Sequence, residues 1–142
     1  MTRRRVLVLC THNSARSQMA EGLLRALASD RFEVASAGTE ATRVHPLAIR
    51  AMDELGIDLR GHRSKTVDAF LDEPWDVVIT VCDGANERCP IFPGRTQRLH
   101  WSFEDPSAAS GSDDERLAVF RRVRDAIAER LRAWVGERAL VP

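Results

Sequence analysis

A chain of 142 residues with 44% hydrophobic side chains carries enough apolar mass for one core, and no linker-like stretch divides it, so a single domain over residues 1–142 is expected. Its 21 basic and 21 acidic side chains cancel, which excludes a general electrostatic grip on nucleic acid or an anionic membrane and requires any anion to be bound locally. Three cysteines are too few for a disulfide framework, and the apolar run near the N-terminus is too short for a signal peptide or a membrane span, so a cytoplasmic monomer is expected.

Val6–Leu9 is a continuous apolar run of the kind that forms a parallel strand buried on both faces, and it ends at Cys10. Thr11, His12, Asn13, Ser14 and Ala15 follow as a polar connection. Arg16 and Ser17 then lead into a helical pattern carried by Met19, Leu23, Leu24 and Leu27. Strand, loop and helix in that order suit a tetrahedral oxyanion, because the free N–H groups and dipole of the helix start favour negative charge. Such a cradle also favours thiolate over thiol, which makes Cys10 a candidate nucleophile. Arg16 stands in a Cys-x5-Arg spacing and offers a planar fork that can hold two anion oxygens. Asn13 tolerates positive φ and Ser14 can bond to nearby backbone, so both suit the turn, and Ser17 is placed to donate to the Cys10 sulfur.

Phe32 to Ala37 reads as a second strand closed by Gly38. His45-Pro46 opens a helix, with His45 as a capping or surface residue, an apolar face of Ala48, Ile49, Met52 and Leu55, and Gly56 as its stop. Ile57 to Arg63 is a turn segment, followed by a short helical pattern through Val67, Phe70 and Leu71. Trp75 to Cys82 repeats the opening design, a β-branched strand ending in a cysteine. Ligands of open α/β sheets bind at the carboxyl ends of parallel strands, so Cys82 is expected on the same edge as Cys10. Asp83 to Arg88 reads as a polar loop able to change shape, with Cys89 just beyond it.

A fourth strand falls near Arg95 to Trp101, which puts Asp105 at that same edge. Ser112 to Glu115 matches a capping box, and the last helix buries Leu117, Phe120, Val123, Ile127, Leu131 and Trp134. Its arginines, Arg121, Arg122, Arg124, Arg130 and Arg132, read as a solvated face paired with Asp125 and Glu129 rather than a nucleic-acid patch. The whole reads as an α/β fold, an open four-stranded, mostly parallel sheet in the order 2-1-3-4 with helices on both faces. The scattered histidines and cysteines suggest no metal site, and no cofactor is expected.

Cys10-Thr11-His12-Asn13-Ser14-Ala15-Arg16-Ser17-Gln18-Met19-Ala20-Glu21 resembles the active-site loop of arsenate reductases built on the low-molecular-weight protein tyrosine phosphatase fold. Gln18 stands where the phosphatases usually carry proline. Ser36-Ala37-Gly38 resembles a segment beside that loop, and Trp101 to Pro106 resembles the segment carrying the general acid, here Asp105. The thiols Cys10, Cys82 and Cys89 resemble the thioredoxin-coupled branch, a likeness that covers most of the chain. The resemblance implies reduction of arsenate by a relay through these three cysteines, with thioredoxin as final reductant.

The chemistry agrees, since arsenic(V) accepts two electrons and a thiol pair supplies two by becoming a disulfide. His12 stands where many relatives have glycine, and Ala15 where some have cysteine. In some relatives the positions of Asn13, Glu21, Ser36 and the 62–65 region hold potassium; Lys65 places an ammonium there, which opposes a cation, stands in for it, or is simply a solvated surface lysine. Because one fold serves several chemistries, a phosphatase with idle Cys82 and Cys89, and a non-catalytic anion or redox sensor, stay open as alternatives.

Overall fold

The computed structural model describes residues 3–139. Its four strands are β1 (Arg4–Cys10), β2 (Phe32–Gly38), β3 (Val77–Thr80) and β4 (Gln97–His100), joined in one sheet in the order β2-β1-β3-β4. All three pairings are parallel, so the sheet is wholly rather than mostly parallel. β1 lies inside the sheet, and Val6 to Leu9 are buried, as a strand covered on both faces requires. β4 is an edge strand and correspondingly polar.

The helices are α1 (Arg16–Ala28), α2 (Pro46–Asp53), α3 (Asp83–Glu87) and α4 (Asp113–Ala139), with single 3₁₀ turns at Val67–Phe70 and Pro106–Ala108. α1 packs on β1 and β2 and is backed by α4, which also covers α2. That double cover buries Ser17 to Leu24 all round, beyond any one-sided stripe, whereas Leu27 stands exposed and Ala28 takes the core position. His45 caps α2, its Nδ1 accepting from the Leu47 N–H at 3.0 Å. The capping box forms at α4: Glu115 N–H donates to Ser112 Oγ and Ser112 N–H to Glu115 Oε1, both at 3.2 Å.

Two expectations are corrected. The segment after Cys82 is wound into α3 instead of lying as an open loop. Arg124 is buried rather than solvated. It donates from Nη1 to the Ala51 carbonyl at 2.7 Å and Glu54 at 2.8 Å, and from Nε to Asp125 at 2.9 Å. Its neighbour Arg121 also grips Glu54, and Arg122 pairs with Glu104 at 2.7 Å. Helical spacing along α4 shows only its own acids, so it hides these partners on other elements.

Hydrogen bonds from Arg121 and Arg124 hold the Glu54 carboxyl down from an ordinary 4.5 to about 2. A carboxylate depressed on folding contributes stability that is complete above its unfolded pKa and is lost as pH falls through the folded one. Thermal melts of the parent are therefore expected to weaken as pH drops from 4.5 towards 2, and Glu54→Gln to flatten that acid limb. Parallel pH profiles for the two proteins would rule out this tie between α2 and α4.

Candidate active site

The loop from Cys10 to Arg16 joins the end of β1 to the start of α1, and its carbonyls face outward one after another. Those of Cys10, Thr11 and Ser14 accept from the backbone N–H groups of Thr39, Glu40 and His45 at 3.2, 2.9 and 2.9 Å. The His12 carbonyl accepts from Ser64 Oγ at 2.8 Å, that of Asn13 from Gln18 Nε2 at 3.3 Å, and that of Ala15 from Met19 N–H at 2.9 Å. A planar trans peptide points its C=O and the following N–H in opposite directions, so the N–H groups of residues 11–16 are turned inward. The result is a cradle of donors at a helix start, the arrangement that binds oxyanions.

Cys10 sits at its floor, buried, where its sulfur accepts from Asn13 N–H at 3.2 Å and lies 2.8 Å from Ser17 Oγ. Asn13 takes the left-handed conformation at φ 49°, the only non-glycine to do so among the described residues, so His12 fits the loop without strain. Its amide nitrogen donates to Ser17 Oγ at 2.8 Å and Ser36 Oγ at 2.9 Å. His12 is exposed and lies 3.4 Å from Glu40.

Arg16 is largely buried, with Nη1 on the Phe103 carbonyl at 3.1 Å and Nη2 at 3.7 Å from Asp105 Oδ2. The chain beyond β4 keeps pairing with the end of β3, Trp101 N–H donating to the Thr80 carbonyl at 2.8 Å, and this carries residues 101–105 to the site. Asp105 is oriented by Ser107, whose N–H and Oγ donate to Oδ1 at 3.0 and 2.6 Å. Cys82 is buried just past β3, its sulfur 3.3 Å from Thr11 Oγ1 on the anion loop. All three cysteines are free thiols. Cys89 lies on the far side of α3, half-buried, and burial pushes its thiol up while the Arg98 guanidinium opposes the shift.

The resemblance grouped Asn13, Glu21, Ser36 and residues 62–65, but sequence reading missed the hydrogen bonds by which Gln18 ties that layer to the loop. Gln18 Nε2 donates to Asn13 Oδ1 at 2.9 Å and the Arg63 carbonyl at 2.9 Å, and its Oε1 faces His62 Nδ1 at 3.0 Å. Ser36 donates to Glu21 Oε1 at 2.6 Å, and Glu21 Oε2 meets Arg25 at 3.0 Å and His62 at 3.3 Å. The oddity of a polar Gln18 within a helix about to be buried was the signal for its part in this layer.

This layer does not fit a potassium ion. Asn13 Oδ1 already accepts from Gln18 and from Lys65 N–H, and Lys65 Nζ bonds to the Arg63 carbonyl at 2.8 Å. Burial pushes both the His62 imidazolium and the Lys65 ammonium down, with Glu21 opposing. The oxygens a cation would need are taken by donors of the chain itself.

Residues 5–140 match the family model described as low molecular weight phosphotyrosine protein phosphatase. An arsenate reductase of Halalkalibacterium halodurans is 46% identical over 134 residues, 94% of this chain and 96% of its own. Among solved structures, an arsenate reductase in the phosphate binding state superposes with a TM-score of 0.76 at 35% identity, covering 94% of this chain and 98% of that one. A thioredoxin-dependent arsenate reductase of Corynebacterium glutamicum superposes at 0.73 with 29% identity, over 95% of this chain and 61% of that one.

Gly38 ends β2 against the loop, where an added Cβ would lie 2.6 Å from the carbonyl oxygens of Thr11 and Glu40 and 2.8 Å from the Asn13 nitrogen. All three are backbone atoms, so the loop itself must move, at a cost of about 1–3 kcal/mol. Gly38→Ala is expected to lower the melting temperature and to abolish the rise that inorganic phosphate produces in the parent. A variant stabilised by phosphate as strongly as the parent would show that the cradle does not depend on this contact.

Proposed function

Because this chain belongs to the low molecular weight phosphotyrosine protein phosphatase family, and to its arsenate reductase branch, we propose that it reduces arsenate to arsenite through Cys10, Cys82 and Cys89. The observation that carries this reading is the second buried thiol, Cys82, bonded to the anion loop beside the first. A phosphatase has no use for it.

Arsenate enters the cradle of N–H groups, and Arg16 neutralises it with a bidentate grip. The Cys10 thiolate attacks arsenic, an As–S bond forms, and one oxygen leaves as water with a proton from Asp105. For this step Arg16 exchanges its resting partners, the Phe103 carbonyl and Asp105, for the anion. The Cys82 thiolate then attacks Cys10 Sγ: an S–S bond forms, the As–S bond breaks with its electron pair going to arsenic, and arsenite departs as As(III). Two thiols have lost the two electrons that arsenic gained.

Cys89 next attacks Cys82 and expels Cys10 as thiolate, which moves the disulfide from the buried cradle to the half-buried Cys89 side. An external dithiol closes the cycle by taking up that disulfide. The thioredoxin dependence of the Corynebacterium glutamicum relative supports thioredoxin in this role. Chemistry that starts from three free thiols suits the reducing cytoplasm.

The test is arsenite production with thioredoxin, thioredoxin reductase and NADPH. Cys10→Ser and Cys82→Ser are expected to make no arsenite, and Cys89→Ser to release a single equivalent and stop with Cys10 tied to Cys82. Turnover by the Cys89 variant at the parent rate would remove the third thiol from the scheme. Hydrolysis of an aryl phosphate with no arsenite from any variant would leave a phosphatase.

A further inference from the structure

Two side chains of β4 hold the two ends of the segment between Cys82 and Cys89. His100 lies 2.9 Å by its Nε2 from Oδ1 of Asp83, the residue after Cys82, and 2.7 Å by its Nδ1 from Thr80 Oγ1. Arg98, two residues earlier and therefore on the same face of the strand, donates from Nη2 to the carbonyl of Pro90, the residue after Cys89. The Cys89 thiol turns towards that same carbonyl at 3.6 Å. Between these anchors α3 is wound, closed by Arg88 N–H on the Gly84 carbonyl at 3.2 Å.

In this arrangement the two thiols face different partners, Cys82 the Thr11 hydroxyl at 3.3 Å and Cys89 the Pro90 carbonyl at 3.6 Å. A disulfide requires Cα atoms within about 7 Å of each other. α3 takes up five of the six residues between the two cysteines, and a fully helical run of seven steps would span about 10 Å. α3 must unwind before the bond can close, and an isolated helix of five residues has little stability of its own. Ala85 packs it against β1 and β3, and its two ends are attached to the edge strand by Arg98 and His100.

We infer that Arg98 and His100 form a clamp on β4 that holds the resolving thiols apart, and that its release is the conformational step admitting Cys89 to the Cys82 sulfur. Both are positioning residues, acting through Pro90 and Asp83, and the inference rests on the relay proposed above. In the step they control, the Cys89 thiolate forms the new S–S bond, the Cys10–Cys82 bond breaks, and Cys10 departs as thiolate with no net change in oxidation state. A clamp of this kind keeps the Cys89 thiol off the Cys10–Cys82 disulfide until the clamp opens.

The experiment is iodoacetamide labelling of the fully reduced protein, followed cysteine by cysteine by peptide mass spectrometry. Arg98→Ala and His100→Ala are each expected to speed labelling of Cys89 about fivefold, the weight of one ordinary hydrogen bond, with Cys10 labelled at the parent rate. His100→Gln keeps a donor for Asp83 and is expected to restore slow labelling. His100 is anchored at the end away from Cys89, so its effect must pass through α3 and not through charge beside the thiol. In single turnover with arsenate, both alanine variants are expected to form the Cys82–Cys89 disulfide faster by a similar factor.

Unchanged Cys89 labelling in both alanine variants would overturn the clamp, as would a Gln variant labelled as fast as the Ala one. The labelling needs no arsenate, so failure of the relay, seen as full turnover by Cys89→Ser, is read separately.

Discussion

Six consecutive carbonyls, from Cys10 to Ala15, are each bonded away from the centre of the anion loop, and everything the site does depends on that. With the oxygens turned out, the N–H groups are turned in, and a charged ligand meets fixed dipoles instead of water that would have to reorganise. The donors that hold the carbonyls come from the chain after β2, from α2's cap residue, from Ser64 and from α1 itself. The loop is therefore shaped by the whole fold. It has no side-chain cap of its own at the start of α1, which leaves that helix end free for an anion.

The layer beneath explains how such a loop can be rigid. Asn13 adopts a conformation that costs most residues energy, and its side chain is gripped by Gln18, Ser17, Ser36 and Lys65. Gln18 links the loop to the 62–65 segment, where the phosphatases usually carry a proline that could make none of these bonds. Arg25 pairs with Glu21 and the Lys65 ammonium acts on it from close by, so cations of the chain itself balance its buried charge.

The anion cradle and the thiol pair place opposite demands on the fold. An oxyanion site must be preorganised, and Cys10 is held accordingly by short contacts in a buried setting. A thiol relay must move, and Cys82 and Cys89 flank the shortest α-helix among the described residues, next to the exposed edge strand. Rigid and labile parts meet where Thr11 touches Cys82.

Local chemistry was legible in the sequence wherever it depends on neighbours along the chain. The run Val6 to Leu9, the Cys-x5-Arg spacing, the positive φ of Asn13, the His45 cap and the box at Ser112 all follow from residue type and spacing, and so does the arrival of Cys10, Cys82 and Asp105 at one sheet edge. The burial of Arg124, the exposure of Leu27, the winding of α3 and the bonds from β4 to Asp83 and Pro90 were not legible. Each of these depends on a surface supplied by a distant element, Glu54 for Arg124 and Arg98 and His100 for α3. By itself the sequence determined which atoms could react, because hydrogen-bonding capacity, charge and thiol chemistry belong to residue types. Only the tertiary structure decided which of them meet and which are held apart, because that turns on packing between segments whose separation along the chain carries no record of their distance in space.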